Sequence, residues 1–592
     1  MSLRRAAVVL AALWLGAAAA QAAAPSQAPL PSARPAVEVA VEVARPGAAM
    51  QLTTSGAASS SLAAAALGVT PGAGGASAAS ASLLPDPAPD ARQPLAQRGG
   101  DARQPLAGSG EDARQPLAAR SSAASQPLAG PSLGAPVLAQ VRPSGQVGFL
   151  LIDVQTGQVL DALAPADPIA PASVAKLVTA LYALEILGPD HRFETRLVAE
   201  APLTGDGRLS GALALVGAGD PDLDTDDLAE LIAQARGRGL RQLDGPLILD
   251  LAGWPSLSQI EPDQPAEAAY NPAVSGINLN YNRVLFGWSR APDGARRTQL
   301  LAHGRQWKPE TRAIRLQLSD APAPVFAWSE GSEAEGWQVA EAALDAEGQR
   351  WLPVRNPETY AADALRQVAA SQGLTLPAPR LGQAPQGGPV LAFRRGPPLE
   401  TVSRQMLRWS TNLTAEALGL AATRARGLPA PDLLASAQAM NAWAEARAGL
   451  PPGAFALRNH SGLSADSRAT PEAFAALLRA AATGPRGDFG RAGPGLLGAQ
   501  LREVNLDPAR GEARLPANVG ASGKTGTMHY VRGLAGYLTP ASGRPLAFVI
   551  LSNDLDRRAE AADGRATGAS RAWLGRAREM ERRLLRTWAA AL

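Results

Sequence analysis

Pro171-Ala172-Ser173-Val174-Ala175-Lys176 is the stretch from which the rest of this chain can be read. Lys176 is one of only three lysines among 56 basic residues; the others are Lys308 and Lys524. Wherever a plain positive charge suffices, the chain uses arginine. A guanidinium stays protonated, whereas a buried lysine can lose its proton and act as a base. A lysine retained against that bias marks a task that arginine cannot perform. Pro171 opens a predicted helix, Ala172 to about Leu187, that is apolar on nearly every face and therefore central and buried. Residues three apart share a helix face, so Lys176 lies beside Ser173, one turn further in.

Two later fragments complete a chemical set. Ser410-Thr411-Asn412 lies between the first fragment and Lys524-Thr525-Gly526-Thr527. An acyl-transfer site needs a nucleophile, a base, an oxyanion site and a substrate clamp. Ser173 is the candidate nucleophile and Lys176 the candidate base. Burial and a nearby cation both lower a lysine pKa, and Lys524 can be that cation. Ser410 can relay a proton to the leaving amine, and Asn412 can hydrogen-bond a substrate amide. The backbone N–H groups of Ser173 and Thr527 can face a developing oxyanion. Lys524 and Thr525, with Gly526 and Thr527 behind them, can hold a substrate carboxylate.

The trio S-x-x-K, S-x-N and K-T-G, in this order, resembles the signature shared by class A β-lactamases and penicillin-binding proteins. The wider chain, about residues 145 to 560, resembles the class C low-molecular-mass penicillin-binding proteins, the D-alanyl-D-alanine carboxypeptidase/endopeptidase family. Leu184-Glu185-Ile186-Leu187-Gly188, Gly219-Asp220-Pro221, Asn280-Tyr281-Asn282, Asn356-Pro357, Ala415-Glu416 and Ser461-Gly462-Leu463-Ser464 are further echoes. The long gap between Lys176 and Ser410 matches that family's large insertion. Thr411 departs from the aspartate often found there, and Asn459-His460 stand where Asp-Gly is common. Both departures leave substrate preference open.

The resemblance implies an α/β (α+β) fold. A penicillin-binding transpeptidase/β-lactamase-like domain would place an antiparallel sheet between helices, with a helical subdomain and a large β-rich insertion. The expected catalytic domain covers residues 141–200 and 396–592, and the insertion 201–395. The implied activity is a serine D,D-peptidase cleaving peptidoglycan stem peptides, at the terminal D-Ala, the D-Ala cross-link or both. β-Lactams would bind as inhibitors, and no cofactor is expected. The enzyme rival is a serine β-lactamase, which needs a water-activating group; no separate Glu motif is evident between Ser410 and Lys524. The other rival is a penicillin-binding sensor or cell-wall module with a slow acyl site.

Composition narrows the field. Formal net charge is only +3, with no block of basic residues, which gives nucleic-acid binding little support. Cysteine is absent, so disulfides and thiolate metal sites are excluded. His191, His303, His460 and His529 form no spaced ligand pair, and no metal is expected. Asp220, Asp222, Asp224 and Asp226 alternate like a calcium loop, but lack its glycine and closing glutamate. They read as acidic residues at a helix start. Gly217-Ala218-Gly219-Asp220-Pro221 lacks the third glycine of a dinucleotide loop.

The N-terminus reads as a signal peptide over 1–22: Arg4 and Arg5, an apolar run from Ala6 to Ala20, then Ala20-Gln21-Ala22. Export to the periplasm follows as an expectation, with at most peripheral membrane contact. Residues 23–140 are rich in Ala, Ser, Pro and Gly and read as a disordered tether. Gln93-Pro94-Leu95-Ala96 recurs there at Gln104, Gln115 and Gln126, an eleven-residue period whose prolines argue against a continuous helix. The pattern also predicts one strand from Lys524 through Leu538, a return strand over Pro545–Leu551, and a closing helix over Ser570–Leu592. That last helix carries arginines on one face; it could lie on a membrane surface or pack on the sheet.

Overall fold

The computed structural model describes residues 131–331, 334–483, 495–561 and 568–592. The expected signal peptide, the repeats and the tether up to residue 130 lie outside the described residues. The first described helix, α1 (Ala135–Val141), buries Val137 and falls inside the stretch expected to be tether. Just before it, Ser132 Oγ and Gly134 N donate to the buried carboxylate of Asp161 at 2.7 and 2.8 Å.

Strand β1 (Gln146–Asp153) shows why the fold has three layers. Its side chains alternate between two cores: Leu150 and Ile152 face one, Phe149 and Leu151 the other. Strand β2 (Val159–Leu163) pairs with it, and a 3₁₀ turn (Ala172–Ala175) leads into α2 (Lys176–Leu187). The expected single helix thus begins as a tighter 3₁₀ turn, and Lys176 is its first α-helical residue. Helices α3 (Leu399–Trp409), α4 (Asn412–Ala425), α5 (Leu433–Ala448) and α6 (Pro471–Thr483) gather around α2 in one cluster. Thr470 caps α6 through its hydroxyl, with Pro471 at the first position, as the sequence implies.

The sheet is completed by β3 (Arg502–Glu503), β4 (Gly520–Met528), β5 (Val531–Thr539) and β6 (Leu546–Asn553). The order is β3-β4-β5-β6-β1-β2, every pairing antiparallel. The expected strand from Lys524 to Leu538 is instead a hairpin. His529-Tyr530 form its turn, Tyr530 at φ 55°, so that Met528 pairs with Val531. Helix α7 (Gly568–Ala591) covers the second face with Met580, Leu584, Leu585 and Trp588. Its apolar side is occupied by the sheet rather than by a membrane surface. No helix among the described residues is long and apolar enough to cross a membrane.

The insertion has its own core. A five-stranded sheet runs Pro379–Leu381, Leu247–Asp250, Leu213–Val216, Glu194–Ala199, Val390–Arg395. Helices Thr225–Gly237 and Pro357–Ser371 pack with it. Glu194–Ala199 precedes the expected boundary at residue 201 yet belongs to this sheet. Conversely Trp254, Ile260, Val274 and Tyr281 join the catalytic-side cluster. The acidic run divides: Asp224 caps the Thr225 helix, whereas Asp220 and Asp222 pair with Arg394.

Candidate active site

The 3₁₀ turn brings Ser173 to the edge of the sheet. Two glycines permit the approach. A Cβ on Gly526 would come within 2.6 Å of the Pro171 carbonyl and 2.9 Å of Ser173 N. A Cβ on Gly462 would lie 2.0 Å from the Ala172 carbonyl, and Gly462 has φ +72°. The nucleophile turn is thus clasped between the K-T-G strand and the Ser461 loop, each admitted only because it carries no side chain there.

Lys176 is fully buried. Its Nζ lies 2.9 Å from Ser173 Oγ, 2.7 Å from Asn412 Oδ1 and 2.8 Å from the Ser461 carbonyl. The Asn412 amide has a defined orientation, because its Nδ2 donates to the Tyr270 carbonyl at 2.9 Å. Two of the three lysine partners are therefore pure acceptors. Only Ser173 can donate. A neutral amine has two N–H groups and one lone pair, and this environment directs the lone pair at the serine hydroxyl. Burial lowers the Lys176 pKa to about 7, opposed by the charge of Glu416.

Glu416 is itself buried and accepts from His460 N, His460 Nδ1 and Ser461 N at 3.0, 2.9 and 2.9 Å. Burial alone would raise its pKa; those hydrogen bonds bring it below the usual carboxylate value. The carboxylate thereby secures the peptide whose carbonyl orients Lys176.

Ser410 ends α3 in the left-handed region, φ 60°. That turn aims its hydroxyl at Lys524, whose Nζ lies 3.0 Å from Ser410 Oγ and 2.6 Å from the Thr525 carbonyl. Lys524 is held well below its ordinary pKa by burial, then by Lys176, Arg532 and Arg502. β3 pairs with Ser522 and Gly523, and from Lys524 onward no strand among the described residues pairs with β4 on that side. An extended peptide can add to such an edge.

The turn at His529-Tyr530 puts Arg532 opposite Thr527. Arg532 Nη1 donates to Thr527 Oγ1 at 2.7 Å, while its other nitrogens hold the buried Glu581 of α7 at 2.8–3.0 Å. With Oγ1 already accepting, the Thr527 hydroxyl hydrogen is free to donate into the cleft, toward an anion.

All the expected residues are thus linked in one site. Ser173, Lys176 and Asn412 form one group, Ser410 and Lys524 a second, and Thr525, Gly526 and Thr527 line the strand beside them. Sequence reasoning did not assign roles to Glu416, Tyr270, Arg532 or Glu581. Arg532 was within reach: once the two-residue turn is recognised, register alone sets it across from Thr527.

Residues 135–572 match the D-Ala-D-Ala carboxypeptidase 3 (S13) family. The chain belongs to that family. It is accordingly a serine-type D-alanyl-D-alanine carboxypeptidase of the cell wall, of the class C low-molecular-mass penicillin-binding type. It is 26% identical over 422 residues to the D-alanyl-D-alanine carboxypeptidase of Actinomadura sp. (strain R39), spanning 69% of this chain and 77% of that protein. With D-alanyl-D-alanine carboxypeptidase DacB of Haemophilus influenzae it shares 24% identity over 444 residues, 70% of this chain and 87% of the relative. The crystal structure of penicillin binding protein 4 (dacB) from Haemophilus influenzae superposes with a TM-score of 0.62 at 22% identity. It covers 77% of this chain and 99% of its own. A second structure of that protein, complexed with a novel β-lactam, gives a TM-score of 0.60 at 22% identity, covering 76% of this chain and 98% of its own. The antiparallel sheet between helices agrees with that fold.

Proposed function

We propose that the enzyme works through an acyl-enzyme on Ser173, with Lys176 as the base. The observation that carries this reading is the Lys176 environment, in which Ser173 is the one partner able to donate. With a pKa near 7, an appreciable fraction of the amine is neutral at neutral pH. Ser173 Oγ attacks the carbonyl of the penultimate D-Ala and its proton passes to Lys176 Nζ. The oxyanion meets the backbone N–H groups of Ser173 and Thr527. The C–N bond breaks, and the proton taken up by Lys176 reaches the leaving amine by way of the Ser410 hydroxyl, which leaves Lys176 neutral again. Water then attacks the ester and gives a proton to Lys176, which passes it to Ser173 Oγ as the C–O bond breaks.

The carboxylate of the leaving residue meets Lys524, Thr525 and the outward-donating Thr527 hydroxyl. A terminal D-Ala and a cross-linked D-centre both offer a carboxylate next to the scissile bond, so the reading includes endopeptidase as well as carboxypeptidase cleavage. A β-lactam presents a reactive amide and a carboxylate in a similar relation and would acylate Ser173. Export to the periplasm, where stem peptides are found, completes the reading. The test is a penicillin adduct mapped by mass spectrometry of a peptic digest. It is expected on Ser173, and an adduct surviving Ser173→Ala would refute the assignment.

A further inference from the structure

A chain of buried polar side chains crosses α2, α4 and α5 and ends at Glu416. Glu416 Oε2 accepts from His460 Nδ1 at 2.9 Å, and His460 Nε2 lies 3.0 Å from Ser436 Oγ. Ser436 Oγ is 2.8 Å from Thr423 Oγ1, which is 3.2 Å from the Tyr182 hydroxyl. All five side chains are buried. At the far end the exposed Arg426 donates to the Tyr182 oxygen at 3.3 Å. The His460 ring fits against α4 only because residue 419 is glycine: a Cβ there would fall 1.9 Å from its Cδ2. Asn459-His460 is also one of the two places where the sequence departs from the family pattern.

The direction of the chain is forced. A guanidinium only donates, so the Tyr182 oxygen accepts from Arg426 and its own proton points to Thr423. Thr423 then donates to Ser436, and Ser436 to His460 Nε2. The other acceptors within reach of these hydroxyls, the carbonyls of Ser436 and Gly419, are 3.5 Å away. Nε2 is therefore the accepting nitrogen, and the ring proton sits on Nδ1, facing Glu416.

Glu416 passes this order on to the base. Its Oε1 accepts from Ser461 N at 2.9 Å, while the Thr179 hydroxyl donates to the His460 carbonyl at 2.6 Å. The peptide between His460 and Ser461 is thus pinned at both polar atoms, and the next carbonyl, that of Ser461, orients Lys176 Nζ. Burial raises the Glu416 pKa, and the His460 hydrogen bond is the largest influence opposing it; the net direction is downward. The Glu416 charge in turn opposes the effect of burial on Lys176.

We infer that His460 is a positioning residue for the Lys176 base: by donating to Glu416 it holds that carboxylate, and through it the His460–Ser461 peptide, in the place Lys176 requires. The inference rests on the acyl-enzyme reading with Lys176 as base, and adds a residue that acts only through Glu416. Among the described residues, the charged groups around this unit are Glu416 from α4, Lys176 from α2, Lys524 from β4 and Arg426 at the far end.

The test is the pH profile of penicillin acylation by the full chain. The wild-type rate should rise with pH through a midpoint of about 7 as Lys176 loses its proton. Without the Glu416 charge the burial of Lys176 is unopposed. Glu416→Gln should therefore move the midpoint down by about one pH unit and lower the plateau by roughly threefold, a less basic amine being a weaker base. Leucine offers Glu416 no donor and makes its buried charge costly, so His460→Leu should move the midpoint in the same direction. His460→Gln, whose amide reaches toward Ser436 rather than Glu416, should do likewise and serves if the leucine variant does not fold. His460→Asn, whose amide N–H falls near the Nδ1 position, should recover most of the wild-type profile. Glu416→Gln/His460→Leu should show the midpoint of Glu416→Gln alone. Midpoints that stay at the wild-type value in the single variants, or shifts that add in the double variant, would overturn the proposal even where rates or melting temperatures fall. The Lys176 base reading would survive that result. A wild-type profile that is flat around pH 7 would remove the base reading and the proposal together.

Discussion

Lys176→Met should separate what the base does for chemistry from what it does to the fold. The buried amine has a pKa of about 7 rather than 10.5. Between those values the unfolded chain binds a proton that the folded chain has lost. Stability of the wild type therefore rises with pH across that window. From pH 7 to 9.5 this group alone contributes a rise of roughly 3 kcal/mol. Below pH 7 both states hold the proton, and the full desolvation penalty, on the order of 5 kcal/mol, weighs on the fold. Methionine removes that penalty. It also leaves the Ser461 carbonyl and Asn412 Oδ1 without their lysine donor, at about 1–3 kcal/mol each. The variant should thus match or exceed wild-type stability at pH 6.5 and fall below it at pH 9.5. Lys524 is shifted in the same direction in both proteins, so most of its effect cancels in the difference. Urea unfolding of both proteins at the two pH values measures this directly. Acylation by penicillin should meanwhile fall by about 10²–10⁴-fold. Parallel stability–pH curves for the two proteins would refute the argument, because they would mean that Lys176 titrates alike in the folded and unfolded states.

Lys176→Arg should lose essentially all acylation, because guanidinium does not deprotonate. Lys524→Arg should retain part of it, and Lys524→Ala should fall roughly ten- to a hundredfold; stopped-flow acylation with one penicillin compares all three. A protein beginning at residue 131 should match the full chain in acylation rate and melting temperature, whereas one beginning at residue 143 should be less stable by roughly 3–6 kcal/mol. The shorter protein loses two of the three donors to Asp161 seen at Ser132, Gly134 and Trp588, as well as the burial of Val137.

The lysine count and the three motifs singled out the candidate residues, and the family resemblance they carry implied the antiparallel sheet between helices. These are local signals: spacing along a helix, a capping threonine before proline, an amine kept where guanidinium was the habit. Elements bounded by tertiary contact were less legible. Nothing local distinguishes the 3₁₀ start at Ala172 from a regular helix, because it is shaped by Gly526 and Gly462 pressing on it. The hairpin turn at His529-Tyr530 lacks the usual Asn-Gly signal and uses Tyr530 at positive φ, so the strand read as continuous. Residues 131–140 looked like the end of a low-complexity run, and acquire structure because Asp161 and α7 receive them.

By itself the sequence determined which groups could do the chemistry, since side-chain type sets pKa range and hydrogen-bonding capacity wherever a residue ends up. Only the tertiary structure decided how they are tuned. Glu416 acts on Lys176 through a loop 45 residues further along. Arg532 reaches Thr527 across a hairpin and Glu581 across a layer. Charges tune one another through distance and burial, and those are properties of the folded chain rather than of its order.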